Sequence, residues 1–307
     1  MSKDYTAPRL DHILVAIDGS EISDYALNFA IHIGERFGSK IDLLYVIPPT
    51  VPAVSAPVFD PMFGGAAMTP LPESASSQKE KETALSRAQS LVTERQKLVK
   101  ARNLACDVLL VRSDDVGGEI VRRGAGVYDL IVIGSRGLGG LKSLILGSVS
   151  KKVAREAKGS VLVMKSRVDS IPKMLLAYDG SDQGRKALEL AAELGKKFKA
   201  QVNVVCVASV PITPEEYVGP DLARYAEEAA QYAKDATSFL EAQGLRSEGK
   251  SFDARDIPRA IADEASKGEY DMIILGSRGY GRLKALFLGS VASGVADSAK
   301  TTVLIVR

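Results

Sequence analysis

Glycines and a Gly-Ser pair interrupt an apolar stretch of this chain, and the pattern occurs twice. Residues 131–150 read IVIGSRGLGGLKSLILGSVS and residues 273–292 read IILGSRGYGRLKALFLGSVA, with 13 of 20 positions identical. Glycine lets backbone N–H groups approach a ligand closely. Gly147-Ser148 and Gly289-Ser290 directly precede helical patterns, where first-turn amides and the helix dipole favour an anion. The pattern predicts two phosphate sites, and a Gly-rich loop without a ligand is the alternative.

Charged residues complete this chemistry. Asp18 and Asp179 follow the apolar runs HILVAI and KMLLAY, and their carboxylates suit a sugar hydroxyl or an exocyclic amine. Positive charge for a polyanion comes from Arg136, Lys142, Arg278 and Lys284. A nucleoside triphosphate fits this set. The P-loop motif is absent, and Lys142 stands where the dinucleotide fingerprint needs its third glycine.

The glycine stretches belong to a repeat that runs through the whole chain. HILVAIDGSE at 12–21 is answered by KMLLAYDGSD at 173–182, an offset of 161 residues. The helical stripe that follows is in register in the two halves. Its members are Ala26, Phe29, Ala30, Ile33 and Phe37, matched by Ala187, Leu190, Ala191, Leu194 and Phe198.

Each half alternates short apolar runs with helical patterns. After the first run, strands are predicted at 40–47 and 201–208, 106–112 and about 248–253, YDLIVIG and YDMIILG, and 160–166 and 301–307. Long helices are predicted at about 77–102 and 221–243, third helices at about 116–126 and 257–267, and short ones at SVSKKVAREA and SVASGVADSA. This order predicts an α/β protein with two tandem doubly wound domains, each a five-stranded parallel sheet flanked by helices. The linker KSRVDSIPK divides them into residues 1–168 and 169–307.

Composition excludes several classes of function. A hydrophobic content of 46% with 25% charged residues describes a soluble globular protein, and a net charge of +2 gives no argument for a nucleic acid partner or a membrane. Cys106 and Cys206 lie in apolar runs, and with only His12 and His32 beside them no metal site is predicted. The chain begins without an apolar signal-like region, so we expect a cytoplasmic protein.

The halves differ most in a Pro-rich insert at residues 48–77, which carries seven prolines. Prolines at this density exclude a regular element. Three interpretations stay open: a mobile lid, a segment that contacts a protein partner, or a loop without a role. Its Val, Phe and Met residues are apolar and favour the interpretation as a segment that contacts a protein partner.

The spacing Gly134-x2-Gly137-x9-Gly147-Ser148, repeated as Gly276-x2-Gly279-x9-Gly289-Ser290, resembles the G-x2-G-x9-G-[ST] motif of ATP-binding universal stress proteins. The resemblance covers nearly the whole chain except the first residues, the linker and the insert. It implies a Rossmann-like, HUP-type fold in which the two domains are related by a pseudo-twofold axis. The last strands, SVLVMKS and TTVLIVR, would then pair within one molecule, and a further homodimer is left open.

The resemblance also implies a set of residues that bind an adenine nucleotide, namely ATP with or without Mg²⁺. In the first half these are Ala16, Ile17, Asp18, Val46, Ile133, Gly134, Arg136, Gly137, Gly147, Ser148, Val149 and Ser150. In the second half they are Ala177, Tyr178, Asp179, Val207, Leu275, Gly276, Arg278, Gly279, Gly289, Ser290 and Val291. Ala16, Ile17 and Asp18, which end the first strand, and Val46 would meet the base and ribose. The glycine stretch that leads from the fourth strand to the next helix, here called the ribbon, and the helix start would hold the phosphates.

Two positions depart from this symmetry. Tyr178 replaces Ile17, and its ring would stack on the base or crowd it. Ala292 replaces Ser150 and removes a hydroxyl from the phosphate end, at a cost of about 1.5–3 kcal/mol. We therefore expect the first domain to bind ATP more tightly.

The leading hypothesis is an ATP-binding stress-response protein in which the nucleotide shifts conformation or partner choice. No His or Glu lies in the motif as a base, so no catalytic residue is assigned. The alternatives are slow ATP hydrolysis or autophosphorylation on Ser148 or Ser150, and an interaction scaffold with vestigial nucleotide sites.

Overall fold

A computed structural model describes residues 9–48, 75–137, 146–209, 221–279 and 288–307 of the chain. Each half contains five strands and four helices within these ranges. The first half comprises β1 (His12–Ala16), α1 (Glu21–Phe37), β2 (Lys40–Ile47), α2 (Ala75–Lys100), β3 (Val108–Arg112), α3 (Val116–Gly124), β4 (Leu130–Gly134), α4 (Ser148–Glu156) and β5 (Ser160–Met164). The second half comprises β6 (Lys173–Ala177), α5 (Asp182–Phe198), β7 (Gln201–Ser209), α6 (Asp221–Ala242), β8 (Gly249–Ala254), α7 (Ile257–Lys267), β9 (Met272–Gly276), α8 (Ser290–Ser298) and β10 (Thr302–Val306).

The strands form one sheet in the order β3-β2-β1-β4-β5-β10-β9-β6-β7-β8. Within each half all neighbouring strands are parallel. The strand order reverses between β1 and β4, and again between β6 and β9. In doubly wound sheets the crevice outside the carboxyl ends of such strands is where ligands bind. The topology therefore creates two equivalent crevices, one in each half.

Helices cover both faces of the sheet because the central strands are apolar on both sides. One core cluster joins the sheet to α1, α2, α5 and α6, with Phe29 and Leu240 among its fully buried members. The other joins it to α3, α4, α7 and α8 and includes Val153 and Val295. The first residues of α4 and α8, which follow the glycine stretches, thus lie on the same face as α3 and α7.

The two halves meet at their last strands and their first helices. β5 and β10 are antiparallel, with Leu162 opposite Leu304. Between α1 and α5, the ring centroids of Phe29 and Phe198 are 6.1 Å apart. Two reciprocal cation–π contacts join these helices. The Arg36 guanidinium lies over the ring of Phe198, and the Lys197 ammonium lies over the ring of Phe37. The reciprocity follows from the repeat, since these residues occupy equivalent positions 161 apart.

The predicted fold class is confirmed, and observed elements lie close to the predicted ones. The long predicted helices at 77–102 and 221–243 are α2 and α6. The proposed domain boundary near Val168 lies between β5 and β6, and its position stays a prediction. Residues 49–74 of the insert, and also Lys142 and Lys284, lie outside the described residues. Over the described part of the chain, none of the helices has the length and apolarity needed to span a bilayer.

Candidate functional site

A cavity lies in each crevice where the strand order reverses. The first has a volume of about 500 Å³ and the second about 520 Å³. These volumes fall within the range of small-molecule sites. Because β1 lies between β2 and β4, apolar residues from β2 and α3 line one side of the first cavity, and Gly134, Arg136 and the start of α4 line the other. The arrangement therefore combines an apolar side with a side rich in backbone amides.

All the residues predicted for the two sites line these cavities. The twelve of the first half surround the first cavity, and the eleven of the second half surround the second. Further lining residues of the first cavity are Ser23, Leu44, Val116, Ile120 and Leu146. Those of the second are Val205, Ser209, Ile257, Ile261, Leu288 and Ala292.

Four of the additional residues carry a sequence signal that the motif alone does not use. Val116 and Ile120 are one helical turn apart on α3, and Ile257 and Ile261 repeat this pair on α7. A helical pair of that kind indicates a buried face. A buried helix face can border either a cavity or closed core, and the sequence pattern does not distinguish the two. The matching position of the two pairs in the repeat is the signal that could have indicated a cavity.

The turn after β1 fixes the carboxylate of Asp18. One carboxylate oxygen accepts a hydrogen bond from the Ser20 backbone N–H at 2.9 Å. Gly19 has φ +83°, a conformation that favours glycine. Ser20 in turn caps α1, since its hydroxyl oxygen accepts from the backbone N–H of Ser23. The sequence Asp18-Gly19-Ser20 thus caps helix α1 and holds the Asp18 side chain just beyond the carboxyl end of β1.

Gly137, three residues after β4, lies directly against this carboxylate. A Cβ atom on Gly137 would lie 2.5 Å from Asp18 Oδ2, and one on Gly279 would lie 2.5 Å from Asp179 Oδ2. Real Cβ atoms do not approach other atoms so closely, so any larger residue at either position would force the aspartate side chain to shift. The second glycine of each motif therefore lets the ribbon contact the strand-end aspartate.

The helices that follow the ribbon begin without a side-chain cap. The N-cap residues of α4 and α8 are Gly147 and Gly289, and neither helix has a side-chain hydrogen bond at its N-terminus. By contrast, side-chain oxygens of Ser20, Asp115, Ser181 and Asp256 cap α1, α3, α5 and α7. Free first-turn amides at a helix N-terminus are suited to bind an anion.

The structure gives the Ser150 hydroxyl a partner within the protein. Its Oγ donates to the backbone carbonyl of Gly134 at 2.7 Å, and Ser150 is buried. A hydroxyl has a single proton, so this proton would have to leave the Gly134 carbonyl to reach a phosphate. The expectation that the first domain binds ATP more tightly than the second, where Ala292 replaces Ser150, stays a prediction.

The ring of Tyr178 packs against protein. It makes an edge contact with the ring of Tyr232 on α6, with centroids 6.3 Å apart and planes at 81°. Its hydrophobic partners belong to the core cluster under α1, α2, α5 and α6. The apolar residues of the cavity, such as Val207 and Ile261, belong to the opposite face. This contact gives the larger ring of Tyr178 a structural role.

The donor set of each cavity suits a polyanion with an apolar head. Asp18 is the one carboxylate among the described residues of the first cavity, and Asp179 holds that place in the second. Arg136 and Arg278 supply positive charge. Over the described residues no group of three or more His, Cys, Asp or Glu side chains is placed to hold a metal ion. A divalent cation there would need oxygen ligands from its substrate in addition to a single aspartate.

Comparison with known proteins places this arrangement in a family. The family model described as "Universal stress protein family" matches residues 9–165 and again 171–307. A universal stress protein of Mycolicibacterium smegmatis is 27% identical over 304 residues, which is 96% of this chain and 96% of that protein.

The fold also occurs in solved structures. A universal stress protein from Archaeoglobus fulgidus has a TM-score of 0.66 at 21% identity, and the match covers 97% of each chain. Another from Archaeoglobus fulgidus, solved in complex with dAMP, is 24% identical, with a TM-score of 0.34 over 46% of this chain and all of that one. Because the family model matches both halves, the chain belongs to the universal stress protein family.

Proposed function

We propose that this protein binds ATP in both cavities and acts as a nucleotide-dependent switch in a stress response. The observation that carries the proposal is the contrast between helix starts. Side chains cap α1, α3, α5 and α7, whereas α4 and α8 begin at glycines that leave their first amides to a ligand. Both uncapped helices open onto a cavity of suitable volume.

The opposite side of each cavity favours a nucleobase. Leu44, Val46, Val116 and Ile120 give the first cavity an apolar wall, and Asp18 stands between this wall and the amides of α4. A carboxylate accepts hydrogen bonds from ribose hydroxyls or from an amino group. The order of apolar wall, acceptor and anion site matches the order of base, sugar and phosphates in a nucleotide.

Adenine and the triphosphate are supported by the motif resemblance rather than by geometry. The spacing of Gly134, Gly137, Gly147 and Ser148 is that of ATP-binding members, and both halves retain it. A Mg²⁺ ion bridging the phosphates is compatible with one carboxylate at each site. Arg136 and Arg278 would offset part of the triphosphate charge.

Two measurements test the proposal. Mass spectrometry of material released by denaturing the purified protein is expected to detect an adenine nucleotide. Calorimetric titration of nucleotide-free protein with ATP, GTP and inorganic tripolyphosphate should then show ATP binding most tightly at two sites. If tripolyphosphate binds most tightly, the cavities are anion sites and the proposal that they bind a nucleotide is wrong.

Absence of released nucleotide together with no ATP binding would contradict the proposal and favour the scaffold hypothesis. The same protein incubated with γ-labelled ATP separates a switch from a slow enzyme. Intact nucleotide after hours is the expected result. Released phosphate, or label on Ser148 or Ser150, would favour the hydrolase alternative.

A further inference from the structure

A cation follows the last strand of each half, buried in the first half and half-buried in the second. Lys165 comes directly after β5 and is 8% exposed, and Arg307 comes directly after β10. The two positions are equivalent in the repeat. Cations of this kind are rarely buried without a partner. Burial holds the pKa of Lys165 down at about 8 and that of Arg307 at about 10, each with help from a neighbouring arginine.

Each of these cations donates to a helix of the opposite half. Lys165 Nζ donates to the carbonyl of Ala296 in α8 at 2.5 Å. Arg307 Nη2 donates to the carbonyl of Ala154 in α4 at 2.6 Å, and its Nη1 donates to the carbonyl of Gly159 at 3.1 Å. The two contacts are related by the repeat, since Ala154 and Ala296 hold the same place in their helices.

The carbonyls of Ala154 and Ala296 accept no hydrogen bond from within their own helices. In α4 the N–H of Ala157 donates to Val153, and in α8 the N–H of Ala299 donates to Val295. The next carbonyls, those of Ala154 and Ala296, lie past the last intrahelical bond and need an external donor. A cation at a helix C-terminus also interacts favourably with the helix dipole.

The same two helices carry the proposed phosphate sites at their other ends. α4 begins after Gly147 and α8 after Gly289, and each has nine residues. A helix of this length is marginal by itself, because it has few internal hydrogen bonds to offset nucleation. Fraying of the last turn would leave little more than one turn to hold the first-turn amides in place.

We infer that Lys165 and Arg307 are positioning residues that act across the two halves, each holding the phosphate-binding helix of the other half in its binding geometry. Lys165 serves the second site through α8, and Arg307 serves the first site through α4. Each cation also lies near the arginine of its own half, Arg136 for Lys165 and Arg278 for Arg307. The inference rests on the proposed function and adds a link between the two sites.

A second contact joins the same helices. Lys151 on α4 and Asp297 on α8 form an ion pair, with Nζ 3.2 Å from Oδ2. Asp297 also faces Lys165 and favours its charged form, opposing Arg136. The C-terminal part of α8 is therefore held by two cations of the first half.

The test measures each site separately. Gly147→Asp blocks the first site by placing a carboxylate at the start of α4, and Gly289→Asp blocks the second. In the Gly147→Asp background, Lys165→Met is expected to raise the Kd of the second site for ATP about five- to tenfold. In the Gly289→Asp background the same substitution should change the first site less than twofold, and Arg307→Met should give the reverse pattern.

Charge-retaining variants and a surface control complete the binding arm. Lys165→Arg and Arg307→Lys should restore most of the affinity. Lys165→Gln keeps a donor without the charge and serves if Lys165→Met does not fold. Arg167→Met is the matched control, because Arg167 lies two residues further on and pairs with Asp169 at the surface. It should leave both sites unchanged.

Hydrogen exchange of the ligand-free protein separates this inference from the proposed function. Lys165→Met should speed exchange of the amides of α8 and leave those of α4 unchanged, with the opposite result for Arg307→Met. If the wild type binds no nucleotide, the proposed function fails and this exchange pattern alone decides the inference. Equal effects on both helices or both sites, or an effect of Lys165→Met confined to the first site, would overturn it.

Discussion

Gly137 and Asp18 are so close that a methyl group on the glycine would lie 2.5 Å from Oδ2 of the aspartate. The carboxylate cannot turn away without cost, because its other oxygen accepts from the Ser20 N–H at 2.9 Å. The same relationship holds between Gly279 and Asp179. In each half the position of this aspartate side chain therefore depends on the absence of a side chain at the glycine.

Gly137→Ala should weaken the first site selectively. The new methyl moves the Asp18 carboxylate away from the nucleotide, and the loss of that contact, worth about 1–2 kcal/mol, lowers ATP affinity about tenfold. Since Gly137 is exposed, the free energy of unfolding should fall by no more than about 1 kcal/mol. Calorimetry checks the affinity and urea unfolding the stability, with Gly279→Ala as the matched variant for the second site. Unchanged affinity in both variants would show that the aspartates do not contact the ligand.

Ser150→Ala should affect stability more than binding. Its hydroxyl donates to the Gly134 carbonyl at 2.7 Å, so its removal leaves a carbonyl without that donor and lowers the free energy of unfolding by about 1 kcal/mol. ATP affinity at the first site should change less than threefold. A loss of tenfold or more would instead support a direct bond from Ser150 to phosphate, and with it the expectation that the first domain binds more tightly.

Tyr178→Ile should lower stability without changing base preference. The ring packs on Tyr232, and its replacement by a smaller side chain costs about 2 kcal/mol. Tyr178→Phe retains the ring contact and should stay within about 0.5 kcal/mol of the wild type. The ratio of ATP to GTP affinity at the second site is the measurement that decides, and a change in that ratio would restore a stacking role for Tyr178.

The buried ammonium of Lys165 makes stability depend on pH. Its pKa is about 8, below the ordinary 10.5, because desolvation lowers it most and Arg136 also lowers it, while Asp297 raises it in part. Between these values the unfolded chain holds a proton that the folded chain has released, so stability rises with pH. The free energy of unfolding of the wild type minus that of Lys165→Met should therefore increase from pH 7 to pH 10, by up to about 3 kcal/mol. Urea titrations of both proteins at several pH values measure it, and a constant or falling difference would contradict the assignment.

The sequence predicts this fold well because the same repeat unit occurs twice in the chain. Apolar runs such as LIVIG and MIILG have few structural alternatives between two helical patterns, and their recurrence supports each assignment. The cavity residues of the ribbon and strand ends follow from the family resemblance that the repeated motif carries.

Other features depend on packing that a linear pattern does not encode. The proton of Ser150 goes to Gly134, and the ring of Tyr178 turns to the opposite face of the sheet, because of neighbours far away in the chain. Lys165 and Arg307 look like solvated ends of apolar strands in sequence. Only the antiparallel meeting of β5 and β10 brings them to carbonyls of the other half.

The central claim is that the uncapped starts of α4 and α8 bind the phosphates of ATP, and an aspartate at each N-cap tests it most directly. Gly147 has φ −63° and ψ 158°, a conformation that N-cap aspartate adopts, and a Cβ there would lie 3.4 Å from the nearest atom. Gly289 is similar, at φ −65° and ψ 155°. Asparagine at both positions is the uncharged control.

Calorimetric titration of ATP into the wild type and the Gly147→Asp, Gly289→Asp double variant is the deciding measurement. Two sites are expected in the wild type, one in each single variant and none in the double variant. The asparagine variant should keep weaker binding, and no aspartate variant should have a lower unfolding temperature than the wild type, because the new side chain caps the helix. ATP binding by the double variant with wild-type affinity would contradict the claim.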